Sequence, residues 1–361
     1  MTYFLRYGKL ESMAKSLLKL NTKTFNKLLS CLGERARDVI ERRFGIGKAF
    51  RRETLEAIGQ SYKITRERVR QIEEQSLKKM KSAPAFKEVQ NFLGELKELI
   101  EKRGGVVPEK IFLDEAGSFS KAGPGQKNYI HFFLVLGSDF EKLKEDQEFH
   151  PRWTTNRDQA EEIHRALKNL HQKIDPASVY SEDDLITHFA DCAQTHLKLK
   201  EEPPAEILKL WLRISRLLGK NVIGEWGFVS SPQIKPRGVK DLAYLVMKQH
   251  GSPMHFTEVA KAITKNLSQP AHAQTVHNEL IKDSRFVLVG RGLYALAGWG
   301  YKPGLVRDII KDVLKENGAL GKEDIVKKVL KERYVKENTI LINLNNRALF
   351  QKNLDGTYST V

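Results

Sequence analysis

The stretch Thr54–Met80, TLEAIGQSYKITRERVRQIEEQSLKKM, constrains this chain more than any other. Thr54 is placed to cap one helix, with Glu56 in its first turn favouring the helix dipole. Gly59 to Lys63 supply a turn, and Thr65 can cap a second helix. Two short helices around a tight turn form a helix-turn-helix, whose second helix enters the DNA major groove.

At about 100° per residue, Thr65, Val69, Ile72, Ser76 and Met80 fall on one side of the second helix, which is expected to be its packed face. Glu67, Arg70, Gln71, Glu74 and Lys78 lie opposite, with Arg66 and Arg68 on the flanks. Arg can fork to guanine O6 and N7, Gln can pair with adenine N6 and N7, and Glu can accept from cytosine N4. The expected base readers are Arg66, Glu67, Arg70 and Gln71. Phosphate contacts are expected from Arg35, Arg37, Arg42, Arg43, Arg51, Arg52, Lys63 and Arg68, which add affinity without sequence information. The competing reading of the same row is a solvated helix face laced by ion pairs.

Charge supports the first reading. The 361 residues carry a formal +16, and residues 1–85 hold 20 Lys or Arg against 9 Asp or Glu, a net of +11. The other 276 residues carry +5. A basic block over one small domain predicts a polyanionic partner, most simply double-stranded DNA. With 40% hydrophobic residues the chain has material for packed cores. Cys31 and Cys192 are the only cysteines, too few for a disulfide framework or a Cys-based zinc site. The N-terminus lacks an apolar run of signal-peptide length, and no stretch reaches membrane-span length, so a reducing cytoplasmic setting with nucleoid association is expected.

Apolar residues of helical period recur over 9–31 (Leu17, Leu18, Leu20, Phe25, Leu28, Leu29). ERARDVIERRF (34–44) follows and stops at Gly45. Lys81–Pro84 reads as an exit into a linker. Beyond it, VKDLAYLVMKQHGSPMHFTEVAKAI (239–263) and VRDIIKDVLKENGALGKEDIVKKVL (306–330) repeat, and each leads to an aromatic hairpin, Phe286–Tyr294 and Phe350–Tyr358. Three helices and a two-stranded wing form the winged-helix plan. Looser copies open at 92–117, with Phe149–Trp153 as its wing, and at 160–192, with Asn221–Phe228 as its wing. The expected fold is mainly α with small β wings: a trihelical helix-turn-helix domain followed by an array of three or four winged-helix modules. The expected bounds are 1–30 for an N-terminal helical segment, 31–84 for the helix-turn-helix domain, then 85–158, 159–232, 233–302 and 303–361.

LGERARDVIERRFGI followed by TLEAIGQSYKITRERVRQIEEQSLKKMK resembles region 4 of the housekeeping bacterial sigma factors over residues 28–81, with TRERVRQIE (65–73) the most specific run. The resemblance implies that Arg66, Glu67, Arg70 and Gln71 read a minus-35 promoter element. It also implies that the module docks on the β flap of RNA polymerase core, and that Lys78 and Lys79 face upstream activators. Gln75 stands where the family usually has Lys, and Glu74 where it usually has Ala. About thirty residues precede the module, and none supplies the aromatic-rich melting domain of sigma factors, so promoter melting is not expected. DLAYLVMKQHGSPMHFTEVAKAI and FVLVGRGLYAL are similar to the HARE-type winged helix of the RNA polymerase δ subunit, which implies adaptor roles without catalysis.

His188, Cys192 and His196 share one helix face at a zinc-compatible spacing but lack a fourth ligand, and AGPGQK (122–127) has too few glycines for a phosphate loop and reads as a loop between helices. No enzyme activity, metal, cofactor, small-molecule substrate or membrane partner is expected. The leading expectation is a sequence-specific transcription factor acting in initiation or its regulation. The alternatives are a minimal sigma factor proper, an enzyme acting on DNA, and a polymerase-binding scaffold whose winged helices lack DNA specificity.

Overall fold

The computed structural model describes residues 22–46, 51–118, 125–197, 201–267, 269–301 and 304–361. Leu17, Leu18 and Leu20 lie outside them, as does most of the loop at 119–124. The chain is mainly α with small antiparallel sheets, and it divides into two compact units. The first holds the described residues through Asp175 with Glu182–Leu218; the second holds Pro176–Ser181 with Gly219–Val361.

The first unit opens with α1 (Thr22–Leu29), α2 (Glu34–Phe44), α3 (Leu55–Tyr62) and α4 (Arg66–Ser82). The Thr54 hydroxyl accepts from the Ala57 N–H at 3.1 Å and that of Thr65 from Arg68 at 3.2 Å, so both helices start where a side chain satisfies a first-turn donor. Helix α2 ends at Gly45 (φ 64°), where an added Cβ would lie 2.9 Å from the backbone of Arg51 and Arg52. At Gly59 a Cβ would come within 2.7 Å of the Ile64 carbonyl, so the α3–α4 turn closes only around glycine. Val39, Ile58 and Val69 form the small core of this trihelical module, packed by Leu55, Tyr62, Ile64 and Ile72.

The module does not end in a linker. Ala83 and Pro84 make a tight corner, their carbonyls accepting from Phe86 and Lys87, and α5 (Phe86–Lys102) follows at once. Next come β1 (Val106–Pro108), α6 (Glu109–Ser118), α7 (Gln126–Leu136), β2 (Glu141–Leu143) and β3 (Arg152–Thr154), with strand order β1-β3-β2. This is a winged helix, and its wing is the 141–154 hairpin rather than 149–153 alone; Lys142 pairs with Trp153. Gln126 and Lys127, expected in a loop, start α7.

Helix α7, third in its module, is buried on nearly every side. Asn128, Ile130, Phe132, Phe133, Leu134 and Leu136 are all covered. The Phe132 ring stands edge-on to Phe25 (5.5 Å between centroids) and Phe44 (5.2 Å), while Tyr129 meets Phe25 at 5.1 Å. Asn128 Nδ2 donates to the Gly45 carbonyl at 2.9 Å, and its Oδ1 accepts from Arg52 Nε at 2.8 Å. One apolar cluster therefore runs from Phe25, Leu28, Ile40, Phe44 and Met80 into Phe92, Leu96, Phe133 and Trp153. Within it, burial together with the charges of Arg52 and Lys142 keeps His131 neutral, with a pKa lowered to about 3.

Helices α8 (Arg157–Lys173), α9 (Glu182–Leu197) and α10 (Ala205–Leu212) complete the first unit. On α9, Cys192 is buried with its thiol toward Asn169, and Asn169 also meets His196 Nε2 at 3.2 Å. Among the described residues no three His, Cys, Asp or Glu groups converge to hold a metal, and no helix is long and apolar enough to cross a membrane.

Strands β4 (Leu218–Lys220) and β5 (Trp226–Phe228) follow the three helices as a hairpin, with Tyr180 bridging to Trp226. The second unit continues with α11 (Val239–His250), β6 (Met254–His255), α12 (Phe256–Leu267), α13 (Ala273–Lys282), β7 (Phe286–Gly290) and β8 (Leu293–Leu296). Then come α14 (Val306–Asn317), α15 (Lys322–Glu332), α16 (Glu337–Leu344), β9 (Phe350–Lys352) and β10 (Tyr358–Thr360). Buried positions repeat in register: Val276 with Ile340, Leu280 with Leu344, and Phe286 with Phe350, each pair 64 residues apart. Three helices and a hairpin thus recur four times after α4.

Candidate nucleic-acid interface

Helix α4 buries Val69, Ser76 and Met80 and half-buries Ile72. Its opposite side exposes Arg66, Glu67, Arg68, Arg70, Glu74, Lys78 and Lys79, with Gln71 half-buried among them. The exposed groups are bonded to one another. Arg70 gives Nε and Nη2 to the two oxygens of Glu67, at 2.9 and 2.7 Å, and Nη1 to Glu74. Arg68 donates to Gln71 Oε1 at 3.0 Å. The paired Arg70 guanidinium holds the Glu67 carboxyl below the ordinary carboxylate range, and the two carboxylates hold Arg70 firmly protonated. Arg66, at the first turn, makes no ion pair among the described residues.

The arginines considered for the phosphate backbone separate into two groups. Arg42 forms a two-bond fork with Glu53 (3.0 and 2.7 Å) and reaches Ser61 Oγ at 2.8 Å; the fork holds the Glu53 carboxyl low. Arg43 donates to the Glu53 carbonyl and meets Glu73 at 3.5 Å; burial raises the pKa of Glu73. Arg37 pairs with Glu41 at 2.9 Å, and Arg52 with Asn128. These four tie α2, the loop before α3, and α7 together. The second group comprises Arg51, Lys63 and Arg68, exposed and without an acidic partner within ion-pair distance among the described residues, and Arg35, which lies over the Tyr62 ring at 5.0 Å. Glu53, Glu73 and Asn128 escaped sequence reasoning. The Arg51-Arg52-Glu53 run just before a helix cap was the available sign for Glu53, but Asn128 lies 76 residues from Arg52.

Lys63 has φ 54°, the sole positive value at a non-glycine among the described residues. A left-handed L-residue costs ~1–2 kcal/mol, and glycine returns part of that through its looser unfolded chain. Lys63→Gly is therefore expected to raise stability by ~0.5–1 kcal/mol while removing an exposed charge from the turn. Thermal melting alongside DNA titration should yield a more stable but weaker-binding protein; a less stable one would mean the turn is not strained.

The later modules offer different surfaces. Helix α7 is committed to the shared core, so the groove-facing position of the first winged helix is closed. In the second unit α13 exposes Gln274, Thr275, Asn278 and Ile281, and α16 exposes Asn338, Thr339 and Ile342, with Asn345 just beyond it. The +5 beyond residue 85 conceals a division, because residues 86–218 carry −4 and residues 219–361 carry +9.

Residues 28–82 match the family model of sigma-70, region 4, and residues 237–299 match that of the HARE-HTH domain, described as the HTH domain of ASXL and restriction endonuclease proteins. The RNA polymerase sigma factor SigA of Nostoc sp. is 41% identical over 71 residues, covering 20% of this chain and 17% of that protein. SigA1 of Synechococcus elongatus is 42% identical over 71 residues with the same coverage. SigA of Lactococcus lactis subsp. cremoris is 35% identical over 68 residues, covering 19% of this chain and 18% of that protein. The chain thus spans about a sixth of the length of these relatives, and the likeness is confined to the region 4 segment. Both matched segments are DNA-binding rather than catalytic domains, and together they mark a DNA-binding, sigma-like, transcription-related protein.

Proposed function

We propose that this protein recognises a minus-35-like promoter element through α4 and contacts RNA polymerase, acting in transcription initiation or its regulation. The observation that carries this reading is the outward row of Arg66, Glu67, Arg70 and Gln71 on a helix capped by Thr65 and set by the Gly59 turn. Arg51, Lys63, Arg68 and Arg35 are the proposed phosphate contacts, because their donors are the less committed ones. Arg37, Arg42, Arg43 and Arg52 serve first to hold the module's shape. Contact with the β flap of the core enzyme, and with activators through Lys78 and Lys79, belongs to the same proposal.

A polymerase scaffold role for the middle modules is favoured by their net −4 and by the burial of α7, both of which disfavour phosphate contact there. The experiment is genome-wide occupancy of the full chain compared with that of core polymerase, with co-purification of the two. Coincident peaks centred upstream of start sites are expected. Occupancy spread evenly over the chromosome, without polymerase, would overturn the promoter reading.

A further inference from the structure

The outward face of α4 carries more negative charge than base reading requires. Arg70 sits between Glu67 one turn before it and Glu74 one turn after it, and each of its three guanidinium nitrogens donates to one of these carboxylates. The triad is exposed and bears a net −1 at the centre of the surface that would meet DNA. Bases are read from the first turns of a recognition helix. Glu67 lies in the first turn and has a cytosine amino group to accept from. Glu74 lies in the third turn, beyond that reach, and its bond here is to Arg70.

We propose that Glu74 is a built-in competitor for Arg70: a carboxylate that occupies the guanidinium until DNA displaces it, and so sets the affinity and stringency of the module. To fork onto guanine, Arg70 must give up bonds to at least one carboxylate, and the released Glu74 then faces the phosphate backbone. A matched site supplies two replacement hydrogen bonds; a mismatched site supplies none, so Arg70 stays with Glu74. The carboxylate therefore weakens every site but weakens poor sites most. This rests on the proposal that α4 enters DNA.

The test uses the full chain and fluorescently labelled duplexes, one with a minus-35-like element and one scrambled. Glu74→Ala and Glu74→Gln are each expected to tighten the matched duplex by about threefold to tenfold, and to tighten the scrambled one by a larger factor, which narrows the ratio between them. In the Arg70→Ala background the same changes should do no more than remove one repulsive charge, with equal effect on both duplexes. If tightening is equal on both duplexes whether or not Arg70 is present, Glu74 is only a distant negative charge and the proposal fails. If the unaltered protein does not distinguish the duplexes, yet Glu74→Ala tightens binding only when Arg70 is present, the competitor role stands and base reading alone is lost. The exposed position of Glu74 leaves folding intact, and thermal melting of each variant checks this.

Discussion

Replacing Phe132 with alanine should destabilise the first unit by about 3–5 kcal/mol, the cost of deleting a fully buried ring from a core that cannot collapse around it. The magnitude follows from position. Phe132 is wholly buried and stands edge-on to Phe25, Phe44 and Phe133, with centroids 5.5, 5.2 and 5.4 Å away. Edge-to-face pairs of this kind contribute beyond their area, and three partners lose theirs together. Two of those partners belong to α1 and α2 of the helix-turn-helix module, whereas Phe132 belongs to the winged helix that follows. The loss should therefore appear as faster hydrogen exchange in the amides of α1 and α2 as well as α7. If α1 and α2 exchange as in the unaltered protein, the two modules are independent domains and the shared core is no more than a contact. DNA affinity measured in parallel should fall, because α4 is anchored by Met80 in the same cluster.

The sequence shows the local part of this arrangement and hides the non-local part, for physical reasons. Thr54, Gly59 and Thr65 act within a turn of where they stand, so caps and turn are legible, and with them the outward face of α4. The repeat of helices and aromatic hairpins is equally local, and it carries the wings at 286–296 and 350–360. The role of α7 is not local. QKNYIHFFLVL has apolar residues on all sides, which marks a helix buried all round, but nothing in it names α2 as the neighbour. Likewise Arg42, Arg43 and Arg52 read as a basic patch until Glu53, Glu73 and Asn128 are placed beside them. Averaging the charge after residue 85 also conceals that the acidic and basic halves lie in succession.

A loss of roughly 10- to 100-fold in affinity for a matched duplex is expected for Arg70→Ala, the range of a forfeited two-bond contact to guanine, and it should be confined to one base pair. Truncation also leaves Glu67 and Glu74 without their shared cation, so part of the loss would be repulsion rather than a missing fork. Arg70→Lys separates the two, since lysine keeps the charge but cannot present two parallel donors. Lysine should restore most affinity for scrambled DNA and little of the preference at the guanine position. Gln71→Ala should relax a different position, where adenine is preferred, and it also frees Arg68, whose donor now rests on Gln71 Oε1. That release predicts a small compensating gain on all sequences and a steeper dependence on salt. Binding to a panel of duplexes with each base pair changed in turn would resolve these patterns. If Arg70→Ala and Arg70→Lys weaken every duplex by the same factor, α4 binds only the backbone. The ion-paired row would then be the solvated face that a chain rich in Arg and Glu can also form.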